Sequence, residues 1–85
     1  MAVNIGDDMF DARSTVLIGK IVRFNRRRAG LSQHAFADLA GIGKTSVFDI
    51  EKGKATVRLA TLLAALRTLN ISMLLDGPSQ DHSWP

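Results

Sequence analysis

The 85-residue sequence contains no cysteine and only two histidines, His34 and His82. Disulfide scaffolds, thiol chemistry and cysteine-ligated zinc sites are therefore excluded, and two histidines are too few for most metal or triad chemistry. The longest apolar run, Ile71 to Leu75 with Ser72 inside it, is too short to cross a bilayer. The first residues do not resemble a signal peptide. We expect a cytoplasmic protein that has no membrane association, metal or other cofactor.

Two short motifs resemble catalytic or nucleotide sites without meeting their requirements. The run from Gly43 to Ser46 looks like the end of a phosphate-binding loop, but Asp38 stands where that loop has its first glycine. The segment before it is helical in pattern, whereas the loop needs a preceding strand. The adjacent carboxylates Asp7 and Asp8 have no apolar pocket to raise either pKa. The sequence therefore predicts no enzymatic activity.

The apolar content of 46% is sufficient for one small globular domain. Charge is unevenly distributed along that domain. Residues 1–12 hold three acids and no base, residues 13–69 hold all 11 bases with three acids, and residues 70–85 hold two acids, giving −3, +8 and −2. A basic body of this kind favours a polyanionic partner, with nucleic acid first. A solvated basic surface that serves solubility is the alternative.

Apolar periodicity predicts four helices followed by one short strand. It assigns apolar residues of three helices to buried stripes, namely Leu17, Ile18, Ile21, Val22 and Phe24 of the first, Phe36, Ala37, Leu39 and Ala40 of the second, and Leu59, Leu62, Leu63, Leu66 and Leu69 of the fourth. The first helix runs from the N-cap Ser14 to Gly30, and the second from the N-cap Ser32 to Gly41. The third spans Lys44 to Glu51, the fourth about Arg58 to Leu69, and the strand Ile71 to Leu75. Residues 1–13 are expected to form an acidic arm with a short helical turn after Asp7, residues 14–75 the domain, and residues 76–85 a flexible tail.

Helices two and three are joined by a tight turn that contains Gly41 and Gly43, an arrangement typical of the helix-turn-helix. At 100° per residue, Val47 and Ile50 define the buried side of helix three. The opposite side and the helix start would read bases in the major groove, and its candidate residues are Lys44, Thr45, Phe48 and Asp49. Packing against a neighbouring helix is the alternative for Phe48, and a solvated charge or local cap is the alternative for Asp49.

A second set of residues is placed to contact DNA phosphates. Ser32 and Gln33 begin helix two, where backbone N–H groups and the helix dipole favour an anion. Lys52 and Lys54 bracket Gly53 after helix three, and Ser46 and Arg27 complete the predicted set. Plain N-capping is the alternative for Ser32, and simple solvation is the alternative for each lysine.

The combined motifs resemble the Cro/repressor (XRE-type) helix-turn-helix family over residues 17–69. The matching residues are Arg26-Arg27-Arg28-Ala29-Gly30-Leu31-Ser32-Gln33, Phe36-Ala37, Ala40-Gly41-Ile42, Val47, Ile50-Glu51 and Gly53-Lys54. In that family an arginine of the first helix pairs with the glutamate that ends the third, which implies a structural ion pair between Arg26 and Glu51. The acidic arm, residues 1–13, departs from the family pattern.

The Thr56–Leu59 segment and the terminal strand look more narrowly like the HipB-type antitoxins. This resemblance implies a protein that dimerises through its strand, represses its own operon and binds a HipA-type kinase toxin. The strand is expected to have no pairing partner within its own chain, so Ile71, Met73 and Leu75 should lie at a two-fold interface. The dimer would then bind a palindromic operator.

Trp84, the only tryptophan, stands in a polar tail without other apolar residues. We interpret it as an anchor for a toxin pocket; the alternatives are an incidental terminus and a fold-back onto Leu74.

The sequence thus predicts a mainly α, four-helix DNA-binding domain with a short dimerisation strand and flexible ends. The predicted function is that of an antitoxin and autorepressor. The alternatives are a free-standing repressor without a toxin and, in another class, a protein-interaction module whose basic face is incidental.

Overall fold

The computed structural model describes residues 2–5, 8–11 and 14–75. Within these ranges there are four helices, α1 (Thr15–Arg28), α2 (Gln33–Ala40), α3 (Lys44–Glu51) and α4 (Leu59–Thr68). Three short strands accompany them, β1 (Ala2–Ile5), β2 (Asp8–Asp11) and β3 (Ser72–Leu74). The predicted fold class, a four-helix helix-turn-helix domain with a C-terminal strand, is confirmed. The predicted tail, residues 76–85, lies outside the described residues.

Helix boundaries follow from local hydrogen bonding and backbone conformation. Ser14 and Ser32 have extended backbones, and their hydroxyls accept hydrogen bonds from the N–H groups of Leu17 and Ala35 at 3.3 and 3.0 Å. Each serine is therefore a true N-cap, as predicted. Gly41 ends α2 in the left-handed region with φ 68°, a conformation that side chains with a Cβ rarely adopt.

The core lies between the four helices and the residue that precedes β3. Val22, Phe36 and Val47 are its largest fully buried side chains, one each from α1, α2 and α3. Ala65 and Leu66 of α4 and Ile71 close it from the other side. No helix within residues 14–75 is long and apolar enough to cross a membrane.

Several apolar residues that the periodicity assigned to the buried stripes are exposed. Leu39 of α2 is 66% exposed, Phe24 of α1 is 59% exposed and Leu59 of α4 is 64% exposed. Each apolar arc is wider than the area that neighbouring helices can cover in so small a domain. Helical spacing predicted the central residues of each buried stripe correctly and its edges wrongly.

The N-terminal residues correct two predictions. The segment after Asp7 was expected to contain a helical turn, but Asp8–Asp11 is a strand that pairs antiparallel with β1. The C-terminal strand was expected to lack a partner in its own chain, but β1 also pairs with β3, with Ala2 opposite Leu74. The sheet order is β2-β1-β3. Within the predicted acidic arm, residues 2–5 and 8–11 are therefore strands.

The strand residues assigned to the dimer interface differ in their burial. Ile71 precedes β3 and is only 5% exposed within the core of its own chain, so the prediction that it lies at the interface is wrong. Met73 is half-buried against the same core. Leu75, just after the strand, is 80% exposed, which leaves it available for an intermolecular contact. The alternating pattern of apolar residues did not predict this difference in burial, because the helices cover the Ile71 end of the strand and leave the Leu75 end exposed.

Candidate nucleic-acid interface

Helices α2 and α3 form a compact unit that presents one face of α3 to solvent. The three-residue turn between them is closed by a hydrogen bond from the Ile42 N–H to the Ala37 carbonyl at 3.0 Å. Val47 and Ile50 are buried on the inner side of α3. The predicted base-reading residues lie on the other side: Lys44, Thr45 and Phe48 are exposed, whereas Asp49 is half-buried.

A buried ion pair joins α1 to the end of α3. Arg26 donates from Nε to Glu51 Oε2 at 2.6 Å and from Nη2 to Oε1 at 3.0 Å, and the two side chains are 10% and 4% exposed. The remaining Nη1 group donates to the Leu31 carbonyl at 2.8 Å. This bidentate geometry confirms the predicted structural ion pair and fixes α3 relative to the loop before α2.

Gln33 extends the ion-pair network to the start of α2. Its side-chain amide donates to Glu51 Oε1 at 3.2 Å, an interaction that sequence reasoning did not identify. Because Ser32 caps the same helix through Ala35, the first turn of α2 is held in one position beside α3. The initial N–H groups of a helix have no intrahelical acceptor, so this turn can present donors to an anion.

Two side-chain pairs organise the outer end of α3. Asp49 lies 3.7 Å from the Lys54 Nζ, and the Lys54 N–H donates to the Asp49 carbonyl at 3.0 Å. The Lys52 ammonium lies 4.8 Å from the centre of the Phe48 ring, a cation–π distance. The i, i+4 spacing of Phe48 and Lys52 could have indicated their contact. The Asp49–Lys54 pair depends on the turn at Gly53, and no spacing in the sequence indicated it.

The electrostatics of this surface favour an anion. The acids nearest to it, Glu51 and Asp49, are paired with Arg26 and Lys54. Lys44 and Lys52 remain exposed without a carboxylate partner among residues 14–75. The other predicted phosphate contacts divide by burial: Arg27, Ser32 and Lys54 are exposed, and Gln33 and Ser46 are half-buried. No group of three potential metal-ligating side chains occurs in the described part of the chain.

Among the described strands the sheet has two open edges, at β2 and at β3. In the order β2-β1-β3, strand β3 has a neighbour on one side only among the described strands. Leu74 and Leu75 are exposed beside this open edge. An open edge with apolar neighbours is suited to pairing with another strand.

This architecture defines a DNA-binding class of protein. A family model described as Helix-turn-helix matches residues 22–75, and the chain belongs to this family, with the XRE type of domain. Its function at this level is that of a transcriptional regulator.

Two individual proteins are more than 30% identical to this chain in sequence, and HipB shares its fold. An uncharacterized HTH-type transcriptional regulator, y4mF, of Sinorhizobium fredii is 35% identical over 63 residues, which cover 74% of this chain and 83% of the relative. The restriction-modification controller protein C.AhdI of Aeromonas hydrophila is 32% identical, with a TM-score of 0.60 over 66% of this chain and 85% of that one. HipB in a complex with an O4 20mer, and in a HipA–HipB–O2–O3 complex, has the same fold at 22% identity, with a TM-score of 0.70 over 81% of this chain and 97% of each HipB chain.

Proposed function

We propose that the protein is a sequence-specific, dimeric DNA-binding antitoxin that represses its own operon and also binds a HipA-type kinase toxin. The observation that carries the DNA-binding part is the exposed face of α3, where Lys44 and Thr45 lie at the free N-terminal end and Val47 and Ile50 are buried behind them. Reading base edges with such a face needs no catalytic group, so no enzymatic activity is proposed.

The proposed docking inserts α3 into the major groove. Lys44 would donate to guanine, and the Thr45 methyl group would contact thymine. Phe48 is placed to contact a thymine methyl beside it, while Asp49 would accept from cytosine or hold Lys54 in position. Phosphates on either side would be bound by a set of flanking groups, namely Arg27, Ser32, Gln33, Ser46, Lys52 and Lys54.

Base reading and phosphate contact are separable by mutation. Thr45→Ala should reduce the preference for the operator over unrelated DNA, because a base contact is worth about 1–3 kcal/mol of discrimination. Lys54→Ala should instead weaken all sequences about equally and lower the salt slope by about 1. Fluorescence anisotropy with operator and scrambled duplexes at several salt concentrations measures both effects.

Arg67→Ala is the control, since Arg67 is exposed on α4, outside the proposed interface. Its salt slope and sequence preference should match those of the unmodified protein. An unchanged preference after Thr45→Ala, or an affinity independent of salt, would contradict this docking.

Dimerisation is proposed to proceed through the open edge of β3. Pairing β3 with its copy would extend the sheet across a two-fold axis, and Leu74 and Leu75 would be covered there; Met73 would support the strand from beneath. A two-fold dimer presents its two α3 helices to successive major grooves, about 34–36 Å apart. A palindromic operator is the expected target.

Toxin binding is supported by the shared fold with HipB, which occurs in a complex with HipA. In the proposal, Trp84 enters a pocket of the kinase, since aromatic anchors supply much of the energy of many interfaces. Removing the residues after Asp76 should weaken toxin binding at least tenfold, about 1.4 kcal/mol, and leave operator affinity nearly unchanged. Isothermal titration with a HipA-type kinase tests the loss; equal toxin affinity for the full and the truncated chain would show that Trp84 is not an anchor.

A free-standing transcriptional regulator is the second candidate, favoured by the 32% identity with the C.AhdI controller protein. Co-purification with a neighbouring kinase distinguishes the two candidates. A gel shift without any operator complex would instead support a protein-interaction module.

A further inference from the structure

The outward face of α1 carries a basic and aromatic patch that the proposed DNA interface does not use in full. Its members line one shallow depression and are Lys20, Arg23, Phe24, Arg27 and Arg28. We call this set the α1 patch. It lies away from the side of α1 where Gly19 and Arg26 meet α3. Only Arg27 is shared with the predicted phosphate contacts.

The α1 patch combines unpaired charge with an exposed ring. Its four cations have no carboxylate partner among residues 14–75, and α1 itself contains no acid. Phe24 is 59% exposed, and the Arg28 guanidinium carbon lies 5.7 Å from the centre of its ring. Contact with a DNA backbone requires cations but no exposed phenyl ring. Arginine and aromatic side chains are enriched at contacts between polypeptides, in the well-packed centres of protein–protein interfaces.

The sequence after β3 has the complementary chemistry. Residues 76–85 contain two acids, Asp76 and Asp81, and no lysine or arginine, and they include Trp84. Trp84 is the ninth residue after Leu75, so an extended chain lets it reach up to about 30 Å from Leu75. This reach exceeds the two smaller dimensions of the molecule, 26 and 20 Å.

We propose that residues 76–85 bind the α1 patch of their own chain. In this proposal the carboxylates of Asp76 and Asp81 would lie near its arginines, and the Trp84 ring would pack against Phe24 and an arginine guanidinium. Tryptophan is the strongest aromatic partner for a cation. A short tether raises the effective concentration into the millimolar range. An intrinsically weak contact, with a Kd of about 1 mM, is therefore about half occupied.

The intramolecular contact conceals the side chain that the proposed toxin would use. A kinase that binds Trp84 must first displace it from the α1 patch. This consequence rests on the proposed function, whereas the contact itself does not. The following experiment uses neither DNA nor toxin, so its failure leaves the proposed function standing.

Trp84 is the only tryptophan and the chain has no tyrosine, so tryptophan emission reports on the tail alone. Acrylamide quenching of the full chain is compared with that of the double variant Lys20→Glu/Arg23→Glu. The quenching constant should be up to about twofold lower in the unmodified protein than in the double variant, because Trp84 is shielded from acrylamide about half of the time if the contact is half occupied. At 1 M salt the Debye length falls to about 3 Å, so much of the difference in quenching constant between the two proteins should disappear.

Arg58→Glu/Arg67→Glu is the matched control, since it changes the net charge equally at two exposed positions outside the α1 patch and outside the proposed DNA interface. It should be quenched like the unmodified protein. Phe24→Ala, which alters no charge, should raise the quenching constant, and far-UV circular dichroism verifies that each variant is folded. Equal quenching in all folded variants, or the same increase in the control, overturns the proposal. Protection that depends on protein concentration also overturns it, because the contact is then between chains.

Discussion

Glu51 receives hydrogen bonds from Arg26 and Gln33, so one carboxylate connects α1, the start of α2 and the end of α3. The family resemblance predicted the Arg26 contact because the two residue types stand at the matching positions of its motif. It did not predict that Gln33 would join, since an amide at a helix start is equally suited to a phosphate. Residue identity thus indicates which groups can interact, while the packing of three elements decides which of them do.

Glu51→Ala is expected to destabilise the fold by about 3–5 kcal/mol, because it leaves the buried Arg26 guanidinium without its counter-charge. Urea denaturation followed by circular dichroism measures the free energy of unfolding.

The exposed pair of His34 and Asp38 provides the comparison, with both side chains 72% exposed at 3.5 Å. Asp38→Ala should change the stability by no more than about 0.5 kcal/mol. A similar loss for the two variants would show that the Arg26–Glu51 pair contributes no more than a surface pair.

At the scale of elements, the helices were predictable and the sheet was not. Local periodicity and capping residues such as Ser32 specify each helix from within its own segment. Strand pairing between Ala2–Ile5 and Ser72–Leu74 joins opposite ends of the chain, and neither segment alone indicates its partner. The Gly6-Asp7 pair between β1 and β2 is a typical hairpin-loop dipeptide, and it was the one local signal for the hairpin.

The contact between α1 and α3 requires glycine at position 19. A Cβ atom there would overlap the Ile50 carbonyl oxygen and lie 2.9 Å from the Glu51 carbonyl oxygen. Because both obstacles are backbone atoms, the helices must separate. Gly19→Ala should therefore cost at least about 1–3 kcal/mol, as overpacking does, despite the higher helix propensity of alanine. Thermal unfolding measures the loss.

Gly43→Ala is the matched glycine control. Its φ is −70°, and an added Cβ would meet only the Ser46 hydroxyl at 3.7 Å. The unfolding temperature of this variant should stay close to that of the unmodified protein. A stable Gly19→Ala protein would mean that α1 and α3 can adjust their spacing.

At the scale of the whole molecule, the open edge of β3 and the exposed Leu74 and Leu75 decide the expected assembly. Leu75→Asp should shift the proposed dimer toward monomer in analytical ultracentrifugation at micromolar concentration, because it would place a charge in an apolar interface.

Leu39→Asp, at another exposed leucine on α2, should leave the mass distribution unchanged. A dimer that persists after Leu75→Asp would place the two-fold interface away from the β3 edge.

The sheet order also has a consequence for the timing of folding. Strand β1, which is synthesised first, lies between β2 and β3, and β3 is synthesised only after all four helices. On the ribosome, the hairpin and the helices can form early, but the β1–β3 ladder must wait until the last described residues leave the exit tunnel. Contacts so distant in sequence form slowly. Among the described elements, the pairing of β1 with β3 is therefore the last to form, and it creates the β3 edge that the dimer is proposed to use.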